Sequence, residues 1–270
     1  MTRLRYRHDS APHPSSKRTT MKHTLTSLLL LPLCMATAHA AEIKVLSAGA
    51  FKPVLVALAP EFEQRSGHKL VIDNDTAGAL VRRINGGEAF DLVVAPPSAL
   101  AQMAQAGKLD AGSGKPLARV AIGVAVKNGA PLPDISSVAN FQKALTSARA
   151  VAYIDPAAGG SSGIFLSQLF ERWGMATMIK AKAVQVPGGL VAQRVVSGEA
   201  DIAIHQISEI LAVPGATLVG PIPTEVQNYT VYSGAAAPTA RDAAAVQALL
   251  TWLASESALA VLASKGMLPP

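Results

Sequence analysis

Four short loops of small residues carry much of the chemistry this sequence can offer. They are Ser47-Ala48-Gly49-Ala50, Thr76-Ala77-Gly78, Gly159-Gly160-Ser161-Ser162-Gly163 and Pro187-Gly188-Gly189. Each follows a short apolar run and precedes a stretch with helical spacing. The first turn of a helix presents N–H groups without intrahelical partners and a partial positive charge. Glycine lets a ligand approach the backbone, and Ser or Thr adds a hydroxyl donor. One such helix end contributes roughly 0.3–2 kcal/mol toward an anion. An ordinary tight turn explains any single loop equally well, whereas four loops around one cleft would make a small-anion site. The candidate ligand contacts on these loops are Gly49, Ala50, Thr76, Ala77, Gly78, Ser161, Ser162 and Gly188.

Titratable groups come next. His205 closes an apolar run over residues 201–204 and is followed by Gln206, Ile207, Ser208 and Glu209. Open α/β sheets bind ligands at the carboxyl ends of their strands, where such a polar cluster would lie. His205 could bind a carboxylate or carry a proton there; a histidine satisfied inside a hinge is the alternative. Gln206 is a companion candidate. Arg82 and Arg83 follow the second loop on a helix, where consecutive residues point about 100° apart. At most one faces a cleft, and Arg82 is the candidate, because a guanidinium suits a carboxylate or phosphate. The alternative is two solvated surface charges, and Lys52 poses the same choice. Asp134 and Glu209 read as caps or hinge partners. Gly159-Gly160-Ser161-Ser162-Gly163 also matches the G-x-S-x-G string of a nucleophile elbow. An elbow places its serine on a sharp turn directly after the strand, and here Asp155 to Gly160 intervene. Past residue 40 the histidines are His68 and His205, far apart and without carboxylates at matching spacing, so no metal site is expected. No cofactor is expected either.

These residues need a frame, and the first forty positions are not part of it. Met21-Lys22-His23 opens a short positive region, residues 25–35 are apolar, and Ala38-His39-Ala40 is a small-x-small pattern. That order is the signature of a secretory signal. The apolar run is too short for a membrane span of roughly 20 residues. Residues 1–40 therefore read as a leader, with translation expected from Met21, the mature chain from Ala41, and the periplasm as destination. No membrane insertion is expected after cleavage. Cys34, the sole cysteine, lies in this leader behind Pro32-Leu33, which does not suit lipid attachment. Most of the formal charge of +6 also belongs to the leader, since Arg3, Arg5, Arg7, Lys17, Arg18 and Lys22 stand there against Asp9. A mature chain near neutrality gives no electrostatic footprint for nucleic acid.

Beyond the leader, strand, loop and helix alternate. Strands are expected over residues 43–47, 69–72, 91–95, 120–126, 151–154, 183–186, 201–204, 217–219 and 230–236. Helices are expected over 53–65, 78–84, 98–106, 141–148, 164–173, 206–211, 240–254 and 256–265, with one running from Gly189 to Val196. Near-continuous apolar strands between helices indicate parallel sheet covered on both faces. The expectation is an α/β protein of two lobes, each a mostly parallel sheet flanked by helices, with a cleft between them. Residues 41–122 and 228–270 would form lobe 1, and residues 123–227 lobe 2.

The order of elements resembles the type 2 periplasmic binding proteins, and within them the molybdate-binding branch. The carriers are residues 43–50, Thr76-Ala77-Gly78-Ala79-Leu80-Val81-Arg82-Arg83-Ile84, Asp91-Leu92-Val93-Val94-Ala95, Ser162-Gly163-Ile164-Phe165 and Ser197-Gly198-Glu199-Ala200-Asp201-Ile202. The resemblance implies an oxyanion site with a serine on the first loop, a serine on the second, backbone donors on the third and fourth, and a tyrosine near the hinge. Here the first position is Ala50, the second Thr76, the third around Ser162, the fourth around Gly188, and the tyrosine position is Gln206. The backbone donors are kept, while two side chains depart. The strings Asp155-Pro156-Ala157-Ala158-Gly159-Gly160 and Gln206-Ile207-Ser208-Glu209 are similar to a sub-branch that includes aconitate isomerases. Two functions are thereby implied. One is a monomeric binding protein delivering a small anion to an ABC permease. The other is an isomerase, with His205 carrying the proton and Thr76, Ser161, Ser162 and one arginine gripping carboxylates. A serine esterase is a distant third.

Overall fold

Local signals set the element boundaries, and long-range pairing sets the architecture. The computed structural model describes residues 40–110 and 112–270, together with residues 1, 2, 5 and 9–13. The positive region at Met21, the apolar run, Cys34 and most of the cleavage pattern lie outside the described residues. The chain divides into two units, Met1–Thr37 and Ala38–Pro270, and the fold belongs to the second.

It opens with β1 (Glu42–Ala48), α1 (Lys52–Ser66), β2 (Lys69–Asp75), α2 (Ala77–Asn85), β3 (Leu92–Ala95) and α3 (Pro97–Gln105). The long strand β4 (Lys115–Lys127) leads to α4 (Val138–Ser147), β5 (Val151–Ile154), α5 (Ser161–Arg172) and α6 (Ala176–Lys180). Then come β6 (Ala183–Val186), α7 (Gln193–Val196), β7 (Ile202–Gln206), α8 (Ile207–Ile210) and β8 (Ala216–Pro221). The chain closes with β9 (Tyr229–Ala236), α9 (Ala243–Leu253), α10 (Glu256–Ser264) and β10 (Met267–Leu268). Pro53 occupies the first turn of α1, where its missing N–H leaves no bond unmade. Gly67, at φ 77°, ends that helix in the left-handed conformation that a Cβ disfavours.

The strands run in the order β2-β1-β3-β9-β4-β7-β5-β6, with β8 and β10 also on β4. Pairing is parallel in the wings, β2-β1-β3 on one side and β7-β5-β6 on the other. It is antiparallel at the join, where β4 pairs with β9 and with β7. The sheet is therefore mixed. The reason is β9, which returns from the far lobe directly, without a crossover helix. Residues 115–121 of β4 pair with β9 and residues 122–125 with β7, so one strand serves both lobes. The Gln227 amide stitches this junction, accepting from the Ile122 N–H at 2.9 Å and donating to the carbonyls of Ile122 and Ile222.

Each lobe has its own core. One cluster joins Val45, Leu46, Phe51, Leu55, Leu92 and Val93 to Leu249, Leu250 and Leu262 from the end of the chain. The other lobe packs Phe141, Leu166 and Phe170 on one face of its sheet, and Ala152, Val191 and Val195 on the other. Asp91 clasps the returning tail to the first lobe. Its buried carboxylate accepts from the N–H of Lys44 at 2.7 Å, the N–H of Arg241 at 2.9 Å and Arg241 Nη2 at 2.8 Å. Burial opposes the charge, but the Arg241 side chain and the two N–H groups outweigh it and hold the carboxyl below its usual range. Asp91→Ala leaves those donors unanswered, so it is expected to lower the unfolding free energy by about 2–4 kcal/mol in a urea titration. An unchanged midpoint would show that the tail docks by apolar packing alone.

Candidate functional site

The loops leaving β1, β2, β5 and β7 meet between the lobes and enclose a cavity of about 40 Å³. Gly49 and Ala50 line it from the first loop, Thr76 and Ala77 from the second, and Ser161 and Ser162 from the third. His205 and Gln206 line it from the end of β7. The structure thus brings together most of the residues that the sequence singles out. Three stand elsewhere.

Gly78 seals the cleft instead of lining it. Its N–H donates to the Gly159 carbonyl at 3.0 Å across the lobes, and a methyl group there would stand 2.8 Å from the Gly159 Cα. Arg82 is exposed on α2, because that helix buries Ala77, Leu80 and Ile84 and turns position 82 away. Its neighbour Arg83 is consumed by Asp73, Asp75 and Glu88. Gly188 lies outside the lining, which Gly189 joins instead. Gly189 adopts φ 82°, which turns the chain aside, and the following helix begins only at Gln193. The helix expected directly after this loop is therefore delayed, and no helix start lies at Gly188.

The remaining helix starts do converge. Thr76 caps α2 by accepting from the Ala79 N–H at 3.2 Å, and donates its own hydroxyl to the Ala158 carbonyl across the cleft at 2.5 Å. Gly160 gives α5 no side-chain cap, so the N–H groups of its first turn stay available. Helix α5 starts at Ser161, three residues before the sequence pattern suggests, and this puts both serines at the helix end. Among the described residues no hydrogen bond joins Ser161 to His205, and the elbow geometry is absent.

Glu209, which reads in the sequence as a cap or hinge partner, is instead the group that dominates the electrostatics. Glu209 reaches back from α8, and its Oε2 stands 3.2 Å from His205 Nε2. Both side chains are buried. Burial drives the histidine pKa down, to about 3, and the carboxyl pKa up, to about 8. Desolvation disfavours either charge, so the neutral pair prevails near neutral pH. In that form the Glu209 O–H donates to Nε2 and the imidazole proton sits on Nδ1. His205 Nδ1 and Gln206 Oε1 make no hydrogen bond within the protein, although both atoms are buried. Unmatched polar atoms are uncommon in a protein interior, and these two belong to residues of the cavity wall. The Gln206 amide donates to Thr230 Oγ1 at 2.9 Å. At position 49 a methyl group would overlap Glu209 Oε1 and push that side chain from its place.

Tyr232, Asn74 and Asp75 complete the wall. Burial raises the Tyr232 hydroxyl above its usual range, and Glu209 adds to this against an opposing hydrogen bond with Ser161. The phenol therefore stays protonated and can donate. No lysine or arginine lines the cavity. A bound anion would be met by helix starts, hydroxyls and an imidazole N–H.

Comparison with known proteins agrees with this fold. Residues 43–268 match the model of a family described as bacterial extracellular solute-binding protein. An aconitate isomerase from Pseudomonas sp is 36% identical over 241 residues, covering 87% of this chain and 90% of that protein. The periplasmic molybdate-binding protein of Azotobacter vinelandii superposes with a TM-score of 0.73 at 20% identity, over 84% of this chain and 99% of that one. The sulfate-binding protein SubI from Mycobacterium tuberculosis H37Rv gives 0.68 at 18%, over 85% and 87%. At such identities the solved structures establish the shared fold alone.

Two predictions come from the site. Glu209 keeps its proton in the fold up to a pH of about 8, whereas the unfolded carboxyl loses it near 4.5. Its stabilising contribution is full below the lower value and disappears as pH rises through the upper one. His205 behaves oppositely, contributing above 6.5 and losing that contribution as pH falls toward about 3. The two effects oppose each other up to about 6.5, so melting temperature should decline chiefly from about 6.5 to about 8, and Glu209→Gln should flatten that decline; parallel slopes over that range would contradict the buried acid. Gly78→Ala should weaken ligand binding by holding the lobes apart while leaving the melting temperature of the free protein within a few degrees. Unaltered affinity by calorimetry would show that the contact is not needed for closure.

Proposed function

The chain belongs to the bacterial extracellular solute-binding protein family, and we propose that its cleft isomerises an aconitate-like unsaturated tricarboxylate in the periplasm. The observation that carries this is His205, a neutral imidazole on the cavity wall backed by a buried carboxyl. The identity shared with an aconitate isomerase over most of both chains supports it.

The chemistry is a proton shift along an allylic system. A base removes a proton from the CH₂ beside one carboxylate. The electron pair delocalises over the allylic carbons, and a proton returns at the far carbon as the double bond moves. One C–H bond breaks and one forms, so no oxidant or reductant is needed. His205 can act as that base when Glu209 is ionised. Nε2–H then donates to the carboxylate, and Nδ1 presents its lone pair. The raised Glu209 pKa puts this switch near the working pH, where proton transfer is most effective. Helix starts at Ala77 and Ser161 would stabilise negative charge developing on the substrate.

A second reading, capture of a small oxyanion for an ABC permease, is favoured by size. A cavity of 40 Å³ has room for roughly three water-sized groups, which suits a tetrahedral anion.

The two readings separate in one experiment. Protein starting at Ala41 is incubated with cis- or trans-aconitate in D₂O and followed by proton NMR. The expected result is interconversion of the isomers with deuterium uptake, slowed by at least about 100-fold in a folded His205→Ala variant. Unchanged aconitate, with molybdate raising the melting temperature, would replace isomerisation by oxyanion capture.

A further inference from the structure

A groove of about 540 Å³ opens beside the cavity and shares Gly49, Asn74, Gly189 and Glu209 with it. Its charges differ from those inside. Lys52 and Lys265 line the groove, and Glu209 is the sole acidic residue in its wall. Lys52 stands at the junction of the two spaces, where its ammonium donates to Asn74 Oδ1 at 2.6 Å. Lys265 follows α10 and is half-buried. The next residue, Gly266, lies against the Ile207 side chain of α8, the element that carries Glu209, and a methyl group there would meet it. Neither lysine takes part in an ion pair among the described residues, although the described chain has many such pairs.

Two ammonium groups without carboxylate partners therefore line the groove that adjoins a cavity whose inner wall has no cation. A single small anion fits wholly within the inner space and need not reach them. A longer polyanion does not fit there, and its remaining charge must lie in the groove. We infer that Lys52 and Lys265 form a second anion subsite at the cleft mouth, which takes the distal carboxylate of a di- or tricarboxylate whose first carboxylate rests on the helix starts inside. This rests on the carboxylate reading of the cleft. It replaces Arg82 as the source of the cationic grip.

Calorimetric titration of the Ala41–Pro270 protein with trans-aconitate, citrate and molybdate tests it, using wild type, Lys52→Ala/Lys265→Ala and Lys52→Arg/Lys265→Arg. The alanine pair should weaken tricarboxylate binding by about tenfold, as expected for two partly solvated ion pairs, and reduce its salt dependence. The arginine pair should restore most of the affinity, and all three proteins should melt at similar temperatures without ligand. Tricarboxylate affinity equal in wild type and the alanine pair would overturn the subsite while leaving the cleft a carboxylate site. Binding of molybdate alone by wild type would overturn both the subsite and the carboxylate reading.

Discussion

Charge buried between two lobes must be answered from within the protein, and this cleft answers it with helix starts and neutral donors in place of cations. The rest of the site depends on that constraint. Without an arginine or lysine in the inner wall, Glu209 has no counter-charge to keep it ionised, so burial leaves it protonated against His205. The pair is then uncharged when an anion arrives and does not repel it. The same burial makes the pair responsive near neutral pH, because losing a single proton converts the unpartnered imidazole nitrogen from donor to base.

Small residues follow from the same requirement. Loops can converge on a cavity of this size only if their backbones approach closely. Gly78 against the Gly159 backbone is the point where a single methyl group would be refused, and at Gly49 it would displace the Glu209 carboxyl. The mixed sheet delivers these loops to one place. Parallel wings put strand ends on the cleft, and the antiparallel junction at β4 and β9 joins the lobes through a few residues around Ile122 and Gln227. Cavity chemistry and hinge geometry thus arise from the same strands, which ties closure to binding.

Much of the fold is legible in the sequence because its signals are local. Apolar runs bounded by Gly, Pro and caps delimit strands 151–154 and 183–186 at their observed limits. The site was legible only where its residues sit on those loops. Glu209 looks like a cap or hinge partner, since an acid after a strand end commonly is one, and nothing in the sequence shows that α8 folds it back onto His205. Tyr232 comes from a strand that returns after more than a hundred residues and inserts between β3 and β4; no spacing rule reaches that far. The resemblance places a tyrosine at Gln206, whereas the phenol in this cavity arrives from β9. Arg82 was a natural partner for a carboxylate by type, but helix phase decides against it, and phase depends on which face of α2 meets the core.

The protonation of His205 is the claim on which the electrostatics of the cleft turns. Nitrogen-15 NMR of histidine-labelled protein, recorded without ligand at a pH of about 5.5, measures it directly. A free imidazole with a pKa of about 6.5 is mostly charged at that pH. The account predicts that His205 remains neutral, with its proton on Nδ1. An imidazolium signal for His205 under those conditions would mean that Glu209 is ionised beside it, and would contradict the uncharged pair.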